Sequence, residues 1–313
     1  MRLRSERYDA TFLDPRQDFA TAQVPLEVRW DPLTGRTTRL LPEGSIPPPA
    51  LHDLEELAEQ TRATCPFCAD AIERETPRFP PELLPEGRIR RGEAVLFPNL
   101  VPYAPWSSVS VYSPERHRLA LDELTPTLLA DNLATQVEFG RAVAQEWFSI
   151  NANHLPPAGS SVFHPHLQGA AGAVPTNAQR ELAEAPVAEY VALERDGERH
   201  IASRGGVDWF ASFAPAGIGE VRAFALDAEL DHTLAGELAR GIVDVLQAYA
   251  ELGFESFNFA LTGSPPTLRM VARAYFGPAR RSDVMWSERL HGEVATDLAP
   301  ERLAVLVRRR AAQ

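Results

Sequence analysis

Apolar and polar residues alternate one for one in several stretches of the chain, as they do in strands with one buried face. RIRRGEAVLFPNL and SSVSVYS carry this pattern with the β-branched and aromatic content that suits a pleated surface. The period then changes. LHDLEELAEQTR reads as a short amphipathic helix, and DELTPTLLADNLATQVEFGRAVAQEWFS as one long helix entered through an acidic, threonine-containing start. SINAN and VFHPHLQGA return to strand, and VPTNAQRELAEAPVAEYVALERDGE follows as a helical connector.

The same order recurs downstream. VDWFASFAPAGIGEVRAFALDAELDHTLAGEL lies beside AVLFPNLVPYAPWSSVSVYSPERHRLALDEL with strand, proline turn, strand and helix start in matching order. ARGIVDVLQAYAELG takes the place of the long helix, and FESFNFALTG and TLRMVARAYF take the places of the closing strands. This predicts an α+β fold of two similar units, whose antiparallel sheets join into a half-barrel with the long helices on one side. Residues 1–50, rich in prolines and turn formers, read as an extended arm, 51–175 as the first unit and 176–313 as the second.

Composition narrows the chemistry. The chain has 313 residues, 44% of them hydrophobic, enough for two modest cores. No run approaches the ~20 apolar residues of a membrane span, and MRLRSERYDATFLD lacks the apolar stretch of an export signal, so the cytoplasm is the expected compartment. A net charge of -12 argues against a general nucleic-acid binder, while a small phosphorylated ligand needs only a few local donors. The sequence contains no lysine, which excludes a P-loop lysine, a Schiff base and a kinase-type lysine.

Two cysteines stand together in CPFC. A helix precedes them and acidic, proline-rich sequence follows, so metal binding fits better than a thioredoxin-like motif. Cys65, Cys68, His117 of SPERH and His164, the first histidine of HPH, make a Cys2His2 set suited to tetrahedral zinc, with two thiolates favouring zinc over iron. His166 is left free beside a metal-held neighbour and near the small residues of AGSS. Neutral imidazole is nucleophilic near pH 7 and can attack phosphorus. His117 taken alone reads as a surface histidine, and so do His52, His154, His200, His232 and His291.

CPFC, SPERH, Asn153 and AGSSVFHPHLQ, in this order, resemble the galactose-1-phosphate uridylyltransferase branch of the histidine-triad superfamily, itself a duplicated unit with a degenerate second half. The resemblance runs from CPFC to the end of the chain. It implies that His166 forms a nucleotidyl-histidine intermediate and that Gln168 donates a hydrogen bond to the transferred phosphoryl group. It further implies phosphate contacts from Asn153, Gly159, Ser160 and Ser161, zinc on Cys65, Cys68, His117 and His164, a hexose contact at Glu288, and a homodimer. Hydrolases of this superfamily carry a third histidine where Gln168 stands, and glutamine does not titrate. A phosphate leaving group and a phosphate acceptor need no such acid.

The expected reaction is therefore transfer of NMP from an NDP-sugar to a sugar 1-phosphate by ping-pong double displacement. A phosphorylase acting on ADP-glucose or a dinucleoside polyphosphate shares the same residues and is the alternative. An inactive zinc-stabilised nucleotide-binding protein is the alternative from another class. The sequence departs from the family at Pro156 and Pro157, which stiffen the loop after Asn153, and at Phe163, where proline is usual before HPH. A second metal site of some relatives has no evident ligands here.

Overall fold

The computed structural model describes residues 1–51, 53–277 and 282–312; His52 lies outside the described residues. Strands run over Arg4–Asp14 (β1), Ala20–Trp30 (β2), Thr37–Leu40 (β3), Ile89–Arg91 (β4), Ala94–Pro98 (β5), Trp106–Val111 (β6) and Trp147–His154 (β7). They continue with His166–Gly172 (β8), His200–Arg204 (β9), Val207–Ala211 (β10), Val221–Phe224 (β11), Ser256–Thr262 (β12), Thr267–Arg273 (β13) and Val294–Thr296 (β14). Helices span Leu54–Arg62 (α1), Ile72–Glu75 (α2), Pro126–Val143 (α3), Asn177–Glu184 (α4), Val187–Arg195 (α5), His232–Glu251 (α6), Trp286–His291 (α7) and Pro300–Ala311 (α8).

Ten strands form one open antiparallel sheet in the order β4-β5-β6-β8-β7-β12-β13-β11-β10-β9. Its two halves repeat. Read from either edge inward, β4-β5-β6-β8-β7 and β9-β10-β11-β13-β12 have the same order, and they meet where β7 pairs with β12, from His154 opposite Phe257 to Ser149 opposite Thr262. The long helix of each half, α3 or α6, packs on the same side of the sheet. Leu133 and Val137 of α3 and Leu238, Ile242 and Leu246 of α6 share one core with Ile150, Leu167, Leu261, Leu268, Val221 and Trp209 of the strands. Each such side chain taken from water contributes about 1.5–3 kcal/mol, so this core dominates the stability.

Local sequence explains the helix limits. Thr125 caps α3 by accepting from the Leu128 N–H, and Pro126 occupies the first turn, where a missing N–H costs nothing. The long helix read from the sequence is shorter than expected. It ends at Val143, Ala144 turns left-handed, and Glu146 leads into β7, so Trp147, Phe148 and Ser149 are strand residues. The connector breaks at Pro186 into α4 and α5.

The opening residues also differ from expectation. They form β1, β2 and β3 of a second sheet, completed by β14 running parallel to β3, rather than an extended arm. β1 and much of β2 are exposed, so no apolar alternation betrays them in the sequence. No helix of the described residues is long and apolar enough to cross a membrane.

Candidate active site and metal centre

The face of the sheet opposite the long helices carries the candidate chemistry. Alternation places His166 and Gln168 of β8 on this face, beside Asn151 and Asn153 of β7 and Asn258 of β12. Gln168, Asn151, Asn153, Asn258, Ala260 and Arg273 are half-buried, whereas the residues between them are buried under α3 and α6. The result is an open polar floor with a packed underside. Gly169, which follows Gln168, belongs to that underside: an added Cβ would run into Gln136 Oε1 and Ser108 Oγ.

The CPFC turn lies against this face. Cys65, Cys68, His117 and His164 are all buried and bring one donor atom each within 4.8 Å of one another. Cys68 Sγ is 3.3 Å from His117 Nδ1 and 3.7 Å from His164 Nδ1, and Cys65 Sγ is 3.6 Å from His164 Nδ1. Ligands around a tetrahedral ion with bonds of about 2.0–2.3 Å stand about 3.3–3.8 Å apart, so these four residues fit a metal ion. The far nitrogens of both histidines are engaged. His164 Nε2 donates to the Ser113 carbonyl at 2.9 Å, which leaves its Nδ1 lone pair for the cluster, and His117 Nε2 lies 3.0 Å from Thr61 Oγ1. Burial pushes the His164 imidazole down to about 4, so it is neutral at pH 7. Burial, then the neighbouring Cys65, pushes the Cys68 thiol up to about 12, far from the low value of a redox-active cysteine.

His166 is oriented from the same segment. Its Nδ1 donates to the His164 carbonyl at 2.8 Å, which places the proton on Nδ1 and the lone pair on Nε2. Gln168 Nε2 meets that lone pair at 3.2 Å. Burial lowers the His166 pKa against the opposing carbonyl bond, so the ring is held neutral. Phe67, the aromatic of CPFC, contacts both HPH rings edge-on, with centroids 6.1 Å from His164 and 5.4 Å from His166. One phenyl ring thus forms a wall common to the cysteine cluster and the free histidine.

The loop after β7 is strained and anchored. Leu155 adopts φ 67° and ψ 167°, a region nearly reserved for glycine, and its side chain is buried with Leu54, Ala58 and Phe163. Phe163, at the position where the family resemblance expects proline, also packs on the His117 ring at 5.5 Å. Gly159 at φ 86° and exposed Ser161 stand at the loop tip, while Ser160 Oγ donates to the Val162 carbonyl at 2.6 Å.

Sequence reasoning missed several neighbours. Asn258 Nδ2 donates to Asn153 Oδ1 at 2.7 Å, and Arg273 Nη1 donates to Asn258 Oδ1 at 2.6 Å. Arg273 is clamped by Asp283, and Glu288 lies in the field of that pair. Burial raises the Glu288 pKa and Asp283 adds to the rise, with Arg273 opposing. The alternation in FNFALT and LRMVAR was the available signal for the two strand residues. His154 is not a surface histidine as expected: it is 3% exposed and stacks on Phe257 at 4.9 Å. His200 and His232 are half-buried, and His291 is exposed. A cleft of about 760 Å³ opens at the opposite end of β7, lined by Trp147, Gln179, Thr262 and Thr267, away from His166.

No family model matches the chain. An uncharacterized protein of Archaeoglobus fulgidus is 32% identical over 308 residues, covering 90% of this chain and 92% of its own length, and the chain belongs to one family with it. Among solved structures, an ADP-glucose phosphorylase from Arabidopsis thaliana with bound ADP-glucose superposes with TM-score 0.69 at 18% identity, over 90% of this chain and 98% of that one. A uridylyltransferase superposes with TM-score 0.60 at 19% identity, over 91% and 98%. The chain has the uridylyltransferase-like histidine-triad fold. Within this fold the duplicated sheet accounts for the repeat seen in the sequence, and the open face of its first half holds HPH-x-Q.

Proposed function

We propose that the protein is a nucleotidyltransferase that moves NMP from an NDP-sugar to a phosphate-bearing acceptor through His166, with a hexose 1-phosphate as acceptor. The observation that carries this reading is the tautomer of His166. Nδ1 is committed as donor to the His164 carbonyl, so Nε2 faces the open floor with its lone pair in the neutral ring. In the first step Nε2 attacks the α-phosphorus, a P–N bond forms, and the bond to the bridging oxygen breaks. That oxygen takes the electron pair and leaves as sugar 1-phosphate. In the second step an acceptor phosphate oxygen attacks the same phosphorus and the pair returns to Nε2.

Gln168 contributes without titrating. Its amide turns from Nε2 to a phosphoryl oxygen, where a preorganised neutral donor meets the charge of the transition state. Asn153, Gly159, Ser160 and Ser161 supply further phosphate contacts, and Glu288 a hydroxyl contact to the hexose. Cys65, Cys68, His117 and His164 hold zinc in a closed site, where the ion supplies rigidity rather than chemistry. In this reading residues 51–175 carry the chemistry, 176–313 complete the sheet, and the protein is a homodimer. A phosphorylase using inorganic phosphate is the second reading, favoured by the bound ADP-glucose in the Arabidopsis structure.

Intact-protein mass spectrometry after incubation with UDP-glucose or ADP-glucose tests the proposal. A UMP-sized or AMP-sized adduct on the wild type and none on His166→Ala is the expected result, and it names the base. Discharge of the adduct by galactose 1-phosphate or by inorganic phosphate then separates the two acceptors. Absence of an adduct with either donor in metal-replete protein overturns the reading.

A further inference from the structure

A chain of polar groups crosses from the second half of the sheet into the first. Arg273 Nη1 donates to Asn258 Oδ1 at 2.6 Å. Asn258 Nδ2 donates to Asn153 Oδ1 at 2.7 Å and lies 3.0 Å from the Ala158 carbonyl and 3.2 Å from the Ala152 carbonyl. Amide oxygen and nitrogen have nearly the same shape, so the direction of such a chain is decided by its neighbours. Here both ends agree. A guanidinium only donates, so Asn258 must turn Oδ1 towards Arg273. Carbonyls only accept, so Asn258 must turn Nδ2 towards Ala152 and Ala158. Asn153 meets an N–H and answers with Oδ1, which leaves its Nδ2 group, without a protein acceptor among the described residues, for the open floor.

The source of this polarity is firmly held. Arg273 is clamped by both carboxylate oxygens of Asp283, at 2.7–3.1 Å, and Asp283 also accepts from the Ala274 N–H at 2.9 Å. Asn153 lies one position beyond the pairing of Ala152 with Leu167, beside His166 on the same face.

We infer that Asn258, its amide held one way round by Arg273 and by the Ala152 and Ala158 carbonyls, is a positioning residue that makes Asn153 present an amide donor, and not a carbonyl oxygen, to the phosphoryl group of a substrate at His166. This rests on the function proposed above. With the chain reversed, an oxygen lone pair would face phosphoryl oxygens and repel them. The Asn258 bond to the Ala158 carbonyl also ties down the loop that carries Gly159 and Ser160, so one residue of the second half braces both the donor and the loop.

The test combines two readouts on the full-length, metal-replete protein. The side-chain amide signal of ¹⁵N-labelled Asn153, assigned by its loss in Asn153→Asp, is titrated with inorganic phosphate, and the rate of adduct formation on His166 is measured with the donor that labels it. Arg273→Lys keeps a donor-only group, and both readouts stay close to wild type. Asn258→Asp, which can no longer donate to Asn153, loses the phosphate-induced shift, and the adduct rate falls by about 10²-fold, as for removal of one preorganised donor. Asn258→Asp retains an acceptor for Arg273, and if it does not fold, Asn258→Ala, which removes the donor to Asn153 without adding a charge, carries the test.

A wild-type shift retained in the Asn258 variant, or no shift in the wild type itself, overturns the inference. The predicted pattern of shifts without any adduct leaves the inference standing and removes the nucleotidyl-transfer reading instead.

Discussion

From AVLF the ladders of the first half run Val95 to Val111 to His166, and from VDWF those of the second run Asp208 to Phe224 to Thr267. In the next row Phe97, Val109 and Gln168 correspond to Phe210, Arg222 and Arg269. The backbone is repeated and the open face is not. Where the first half has Val109 and Gln168, the second has Arg222, buried and bonded twice to Asp31 at 2.9 Å and twice to Glu220 at 3.1 and 3.4 Å, with Arg269 on Glu220 at 2.8 Å. Leu33, next to β2, and Tyr190 of α5 pack over Phe210 and Phe224. Both halves are covered over these strands, the first by the CPFC turn on Val95, Phe97, Val109 and Val111 and the second by ion pairs and aromatic rings; what differs is that the first seats His166 and Gln168 beside its cover. Burial alone would raise the Glu220 pKa, yet Arg222 and Arg269 hold it down at about 2. A face that holds charges this tightly positions its own chain, not a ligand.

This contrast can be broken most sharply at the corresponding pair of residues. His166→Ala should abolish adduct formation, a loss on the order of 10⁴-fold or more by analogy with removal of other nucleophiles, while Thr267→Ala leaves the rate within about 2-fold of wild type. An equal effect of both would refute the asymmetry. Removing a ligand should also act on one half. Cys68→Ser is expected to lower the content of bound metal, read by elemental analysis, and to raise amide exchange around Cys65 and His117 while β11 and β13 stay protected.

Arg222→Met should act in the opposite sense, destabilising the protein by about 3–5 kcal/mol in urea unfolding because Asp31 and Glu220 lose their buried partner. The adduct yield per folded molecule stays unchanged.

The smallest expected effect concerns His154, whose burial pushes its pKa down to about 4. The unfolded state takes up its proton near pH 6.5 and the folded state only near 4. Neutral His154 therefore contributes fully above pH 6.5, and that contribution is lost as the pH falls from 6.5 to 4, by up to about 3 kcal/mol. His154→Phe keeps a ring on Phe257, and its stability measured at several pH values should lack this part of the acid slope.

The strands of the sheet were legible in the sequence because one face is buried and the other is not, which is the only condition under which alternation appears. β8, β12 and β13 satisfy it, while β5 and β6, buried on both faces, are betrayed by their β-branched and aromatic content instead. The β1 and β2 ribbon does not satisfy it, since it is exposed along most of its length, and the junction of α3 with β7 was hidden because Trp147 follows Val143 at helical spacing across a change of period. At the site, CPFC, SPERH and HPH-x-Q stood out because their residue types are rare in this chain. Asn258 and Arg273 are ordinary strand residues, and only the sheet order, which joins two distant segments at β7 and β12, brings them to Asn153. His154 was misread for a related reason: the ring that buries it, Phe257, comes from the other half.

The antiparallel seam between β7 and β12 also bears on what a shortened gene would encode. A product ending at the connector would carry β7 as a bare edge, with its row of N–H and C=O groups open to pairing. Two copies could close that edge on each other about a twofold axis, because an antiparallel ladder is self-complementary. Such a pair would have the sheet order of the full protein, but with HPH-x-Q on both sides of the seam and neither Asn258 nor Arg273. The single chain trades that symmetry for one half that carries HPH-x-Q and one that carries Asn258 and Arg273, and so for a site built across the seam from two different halves.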